Sequence, residues 1–101
     1  MSVLVTMRVR GDVEQFRRFL ETNPERFREI APDARAAGAI HHRFGVGDGF
    51  VVVVDEWESA EAFQRFFQTN EKIPAVMRDS GAADEEPEIT FSEAIDSPDQ
   101  F

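Results

Sequence analysis

The chain has 101 residues, no cysteine, and 20 acidic against 11 basic residues, a formal net charge of −9. This length holds one hydrophobic core. The composition excludes disulfides, thiolate metal sites and cysteine nucleophiles, and the acidic balance disfavours nucleic acid and anionic membrane surfaces as partners.

The N-terminal apolar run is too short and too charged for a signal peptide or a membrane span, so the expected compartment is the cytoplasm. Residues 3–10, VLVTMRVR, alternate, with Val3, Val5, Met7 and Val9 on one face, and predict a strand. Gly11 breaks it and Asp12 is placed to cap a helix. Val13, Phe16, Phe19, Leu20, Phe27 and Ile30 then recur at helical spacing. The spacing is interrupted at Thr22-Asn23-Pro24, where Asn23 can cap a new segment and Pro24 suits its first position. Pro32 is expected to end or bend the helix again and Gly38 to stop it.

Residues 39–46, AIHHRFGV, predict a second strand, and Asp48-Gly49 a hairpin turn. Residues 50–57, FVVVVDEW, are apolar on both faces through Val51 to Val54, which predicts a strand buried on both sides. Ser59 should cap a second helix carrying Phe63, Phe66, Phe67, Ile73, Val76 and Met77, with a break between about residues 69 and 74. Gly81 and the acidic run 84–87 form a loop, and residues 88–95, EITFSEAI, alternate as a last strand. The domain spans 1–95, and 96–101 form a tail.

Residues 12–23, DVEQFRRFLETN, are repeated as SAEAFQRFFQTN at 59–70, an offset of 47 with identities at Glu14/Glu61, Phe16/Phe63, Arg18/Arg65, Phe19/Phe66, Thr22/Thr69 and Asn23/Asn70. The same offset carries the first strand onto the third and Phe44 onto Phe91. A duplicated βαβ unit predicts an α+β fold, a ferredoxin-like βαββαβ with a four-stranded antiparallel sheet and both helices on one face. The opposite face would carry half of the valine strand, which a homodimer packing two sheets face to face would cover. The offset also places Arg8 and Asp55 at equivalent positions, where they are expected to pair on the face away from the helices.

The run D-E-W-E-S-A-E-A-F-Q-R-F-F at 55–67, a strand end followed by a capped helix, resembles the dimeric α+β barrel proteins of the antibiotic biosynthesis monooxygenase type, with Trp57, Ser59, Phe63 and Phe66 at the matching junction. The resemblance implies a dimeric barrel with a ligand pocket between helices and sheet, and an activity such as cofactor-independent oxidation of a quinol. Two positions depart from it: Phe66 stands where many members carry a histidine, and no histidine follows residue 42, so the haem-degrading branch is not matched.

The two histidines are adjacent on a strand and therefore face opposite ways, so they cannot chelate one metal together. His42 shares a face with Phe44 and, by the repeat, with Ile89 and Phe91. It is the first choice for a general base acting on a phenol or quinol, and His41 the second. Trp57, Phe63, Phe66, Phe67 and Phe44, with Met77 as an adaptable side chain, are expected to line an apolar pocket, with Phe16 and Phe19 converging on it. Asp55 and Glu56 alternate faces and are a carboxylate pair in sequence only. There is no phosphate loop, no Ser-His-Asp set and no dinucleotide fingerprint, so no cofactor or metal is expected. The expected partners are a second copy of the chain and an apolar or aromatic small molecule. A non-catalytic binder with a filled core, and an isomerase or cyclase using the same pocket, are the alternatives.

Overall fold

A computed structural model describes residues 1–101, in the order β1 (Val3–Arg10), α1 (Val13–Thr22), α2 (Pro24–Arg28), α3 (Ile30–Ala37), β2 (Ala39–Gly47), β3 (Phe50–Trp57), α4 (Ala60–Thr69), α5 (Lys72–Asp79) and β4 (Glu88–Glu93). The strands form one antiparallel sheet in the order β2-β3-β1-β4. This is the predicted α+β, ferredoxin-like βαββαβ fold, with β1 and β3 at the centre of the sheet and β2 and β4 at its edges. No helix is long and apolar enough to cross a membrane.

The helices start and stop where the local chemistry directs. Asp12 accepts a hydrogen bond from the Gln15 amide at 3.0 Å and the Ser59 hydroxyl accepts one from the Ala62 amide at 3.1 Å, capping α1 and α4. The repeated Thr-Asn pair ends both helices in the same way. Thr22 and Thr69 donate their hydroxyls to the carbonyls of Arg18 and Arg65, while the amides of Asn23 and Asn70 donate to Phe19 and Phe66. The Asn23 side chain, expected to cap α2, instead donates backwards to the Phe19 carbonyl at 3.3 Å and closes α1. Pro32 does not break the helix. The break lies at Glu29, and Pro32 falls in the first turn of α3, just as Pro74 falls in the first turn of α5. The amides of a first turn have no intrahelical acceptor, so proline costs no bond there. Gly38 stops α3 at φ 120°, a left-handed backbone that glycine alone takes without strain.

The register decides which side chains meet. Val3, Val5, Met7 and Val9 lie opposite Trp57, Asp55, Val53 and Val51, so the odd-numbered residues of both central strands share the helix-covered face. Val5, Met7, Val53 and Trp57 form the core there with Phe63 and Phe66 from α4, and Ile30, Ala34 and Ile73 pack against it. The expectation that β3 is buried on both sides fails within this chain. Val51 and Val53 are buried, but Val52 is half-buried and Val54 is 50% exposed on the outer face, beside Leu4 at 45%.

The expected Arg8–Asp55 pair also fails. Arg8 lies on the outer face, its guanidinium 3.8 Å over the Phe50 ring, whereas Asp55 points to the helix side. The cause is a one-residue difference between the two strand–helix junctions. Val9, the last inward residue of β1, precedes its cap Asp12 by three positions, and Trp57 precedes Ser59 by two. The offset of 47 that aligns the helices therefore inverts the faces of the strands.

Two ion pairs join the helices of the two repeats: Lys72 Nζ to Asp33 and Arg26 to Asp79, each at 2.9 Å. Hydrogen bonds from Lys72 and then Asn70 hold the Asp33 carboxyl below its ordinary range, and those from Arg26 and Arg78 do the same for Asp79.

Candidate functional site

A cavity of about 800 Å³ lies between the helices and the inner face of the sheet. Its walls come from both repeats because both helical halves cover the same face without filling it. On the first-repeat side Phe16, Phe27 and Phe44 meet edge to face, with centroids 5.2 to 6.3 Å apart. On the second-repeat side Phe63 is the hub. Trp57 lies 5.4 Å away, Phe67 stacks on it at 5.7 Å, and Phe91 meets its edge at 5.7 Å; Phe66 packs on Trp57 at 5.3 Å. Edge-to-face and offset contacts of this kind are the favoured aromatic geometries.

A polar bridge crosses the seam between these two groups. His42 Nδ1 is 2.7 Å from Asp55 Oδ1, and Trp57 Nε1 donates to Asp55 Oδ2 at 2.9 Å. Asp55 is 6% exposed and the His42 side chain 50%. The His42 ring meets the Phe44 ring edge to face at 4.8 Å. No buried side-chain nitrogen or oxygen lacks a hydrogen-bond partner. Both Asp55 oxygens have hydrogen-bond partners, as a buried carboxyl group requires.

The residues singled out in the sequence fall as follows. His42, Trp57, Phe63, Phe66, Phe67, Phe44 and Met77 all border the cavity. His42 and Phe44 face inward because β2 slips by one position between Ala39 and His41; the bulge lets odd-numbered Ala39 and even-numbered His42 share the inner face. His41 stands opposite Glu56 on the outer face and borders the cavity only along the edge strand. Phe16 lines the cavity, but Phe19 does not. It packs edge to face on Phe27 at 5.8 Å, beneath the Arg26 guanidinium.

The residue that sequence reasoning misplaced is Asp55. The signal was present: in Val51-Val53-Asp55-Trp57, period-two alternation sets the aspartate on the face of the tryptophan. An imidazole hydrogen-bonded to a buried carboxylate at the wall of an apolar cavity is chemically suited to accept a proton from a bound ligand. The site contains no group of three His, Cys, Asp or Glu side chains that could hold a metal ion.

No protein-family model and no curated protein matches the chain. Solved structures match it over almost its whole length. SnoaB from Streptomyces nogalater, a cofactor-independent oxygenase, superposes with a TM-score of 0.63 at 16% identity, covering 98% of both chains. The monooxygenase ActVA-Orf6 of Streptomyces coelicolor, solved in complex with the ligand Nanaomycin D, gives 0.65 at 13% identity over 95% of this chain and 89% of that one. Rv0793 from Mycobacterium tuberculosis gives 0.61 at 12% identity over 97% and 99%. At these identities the likeness is one of fold: the chain shares the α+β fold of these proteins.

Proposed function

We propose that this chain is a small-molecule-binding homodimer that oxidises a phenol or quinol with molecular oxygen and no cofactor, His42 serving as the base. The observation that carries the reading is the His42–Asp55 pair set against an apolar cavity of about 800 Å³. A cavity of this size in place of a filled core supports the binding of a ligand. The fold shared with SnoaB, a cofactor-independent oxygenase, supports the same direction.

The chemistry needs a base and a dry site. His42 takes the proton from the phenolic hydroxyl. The phenolate passes one electron to oxygen, and the phenoxyl radical and superoxide combine at a ring carbon to form a C–O bond. The peroxide anion takes a proton, and the ring carbon then loses its hydrogen as the O–O bond breaks. Water leaves and a carbonyl remains, so that one phenol and one O2 give one quinone and one water. Trp57, Phe63, Phe66, Phe67, Phe44 and Met77 bind the ring and exclude water.

The dimer in this reading covers the outer sheet face at Val54 and Leu4. Sedimentation at micromolar concentration tests it: a dimer is expected, and Val54→Lys should release monomers. The activity is tested with an oxygen electrode and a panel of naphthols with a free ring position. Oxygen uptake matched by quinone formation supports the reading. Ligand turnover without oxygen uptake would transfer the site to an isomerase or cyclase, and binding without turnover to a non-catalytic binder.

A further inference from the structure

A neutral imidazole is a base only at the nitrogen that carries no proton, so the tautomer of His42 determines whether the site functions. We propose that Asp55 and Trp57 act together as a positioning pair that locks His42 with its proton on Nδ1 and leaves Nε2 free to accept the substrate proton. The inference rests on the reading of His42 as the base, and extends it to two residues that act through His42.

The geometry dictates the proton positions. Trp57 Nε1 can only donate, and it takes Asp55 Oδ2 at 2.9 Å. Asp55 then has Oδ1 left, 2.7 Å from His42 Nδ1, and an ionised carboxylate only accepts, so the bridging hydrogen belongs to Nδ1. The free imidazole of histidine prefers the other tautomer, with the proton on Nε2. The pair therefore imposes on His42 a tautomer that it does not favour by itself. Trp57 is held in turn by Phe63 and Phe66 at 5.4 and 5.3 Å, so the chain of orientation runs from the core of α4 through the indole and the carboxylate to the imidazole. Asp55 is buried, so its carboxylate relies on His42 Nδ1 and Trp57 Nε1 in place of water.

Asp55→Asn makes a sharp test because the amide is isosteric and Trp57 decides which way it turns. The indole N–H must meet the amide oxygen, which turns the amide NH2 towards His42. Nδ1 must then accept, and the proton moves to Nε2. Histidine 15N chemical shifts, recorded on the neutral imidazole and without any substrate, read this directly. In the wild type Nδ1 is protonated and Nε2 bare. In Asp55→Asn the two exchange, and kcat falls about 10²- to 10⁴-fold with KM little changed, the loss expected when a base is present in the wrong tautomer. Wild-type His42 protonated on Nε2, or Asp55→Asn retaining the Nδ1 proton, overturns the proposal. A tautomer that exchanges as expected in a protein that oxidises no phenol upholds the positioning pair and refutes the activity, so the two failures are distinct.

Discussion

Phe63 and Phe44 both border the cavity, yet truncating them should have different consequences. Phe63 is 4% exposed and in aromatic contact with Trp57, Phe67 and Phe91, whereas Phe44 is 36% exposed, on the edge strand, and contacts Phe16, Phe27 and His42. Phe63→Ala removes a fully packed ring and leaves its neighbours unsupported, a loss of about 3–5 kcal/mol. Phe44→Ala loses only the buried two-thirds of a side chain whose complete burial contributes roughly 1.5–3 kcal/mol, or about 1–2 kcal/mol, and the vacated space joins a cavity that already exists. For a domain of this size 1 kcal/mol shifts Tm by roughly 4–8 °C. Phe44→Ala is therefore expected to melt about 4–15 °C below the wild type, and Phe63→Ala at least about 12 °C below it, or to fail to fold, given a total stability of about 5–15 kcal/mol. Urea and thermal unfolding at one fixed protomer concentration measure both, because any dimer couples Tm to concentration. Equal losses in the two variants would refute the division of these rings into core and cavity wall.

The helix layer should loosen in acid. Asp33 and Asp79 are held below their ordinary range by Lys72 and Arg26, so their contribution is present above the unfolded value near 4 and is lost as pH falls through the folded value. Thermal melts between pH 5 and 2 should converge for the wild type and for a variant carrying Asp33→Asn and Asp79→Asn, with a gap only at the upper end; a gap that persists at pH 2 would contradict this. Gly11→Ala should be destabilising by about 1–3 kcal/mol, since its Cβ would lie 2.5 Å from the Gly81 carbonyl oxygen and 3.1 Å from the Ala82 Cα, both backbone atoms. Unfolding in urea checks it, and an unchanged midpoint would show that the isolated antiparallel β-bridge between Gly11 and Ala82 yields freely.

Much of this arrangement was legible in the sequence because it rests on local chemistry. Asp12 and Ser59 precede their helices with the oxygen that a first turn needs, Gly38 marks a helix stop, and the Thr-Asn pairs mark two helix ends. The strand order follows from the duplication, which brings β1 and β3 together at the centre. What could not be carried by the repeat was the facing of the strands. Periodicity within β3 alone puts Asp55 beside Trp57, but the offset of 47, derived from the helices, passes through two junctions of unequal length and turns Asp55 outward. Pro32 misled for a related reason: its effect depends on whether it stands in a first turn, and the break at Glu29 that puts it there carries no glycine or proline of its own. The exposure of Val54 was not legible because hydrophobicity favours burial without recording whether the chain itself supplies the cover.

The central claim, that His42 is the base for oxidation of a ligand held in the cavity, is tested most directly by oxygen consumption of the wild type and His42→Ala on the same naphthol with no added cofactor. The wild type is expected to consume one O2 per quinone formed. His42→Ala, shown to be folded by its unfolding curve, is expected to be slower by about 10²- to 10⁴-fold. A folded His42→Ala protein that consumes oxygen at the wild-type rate would contradict the account.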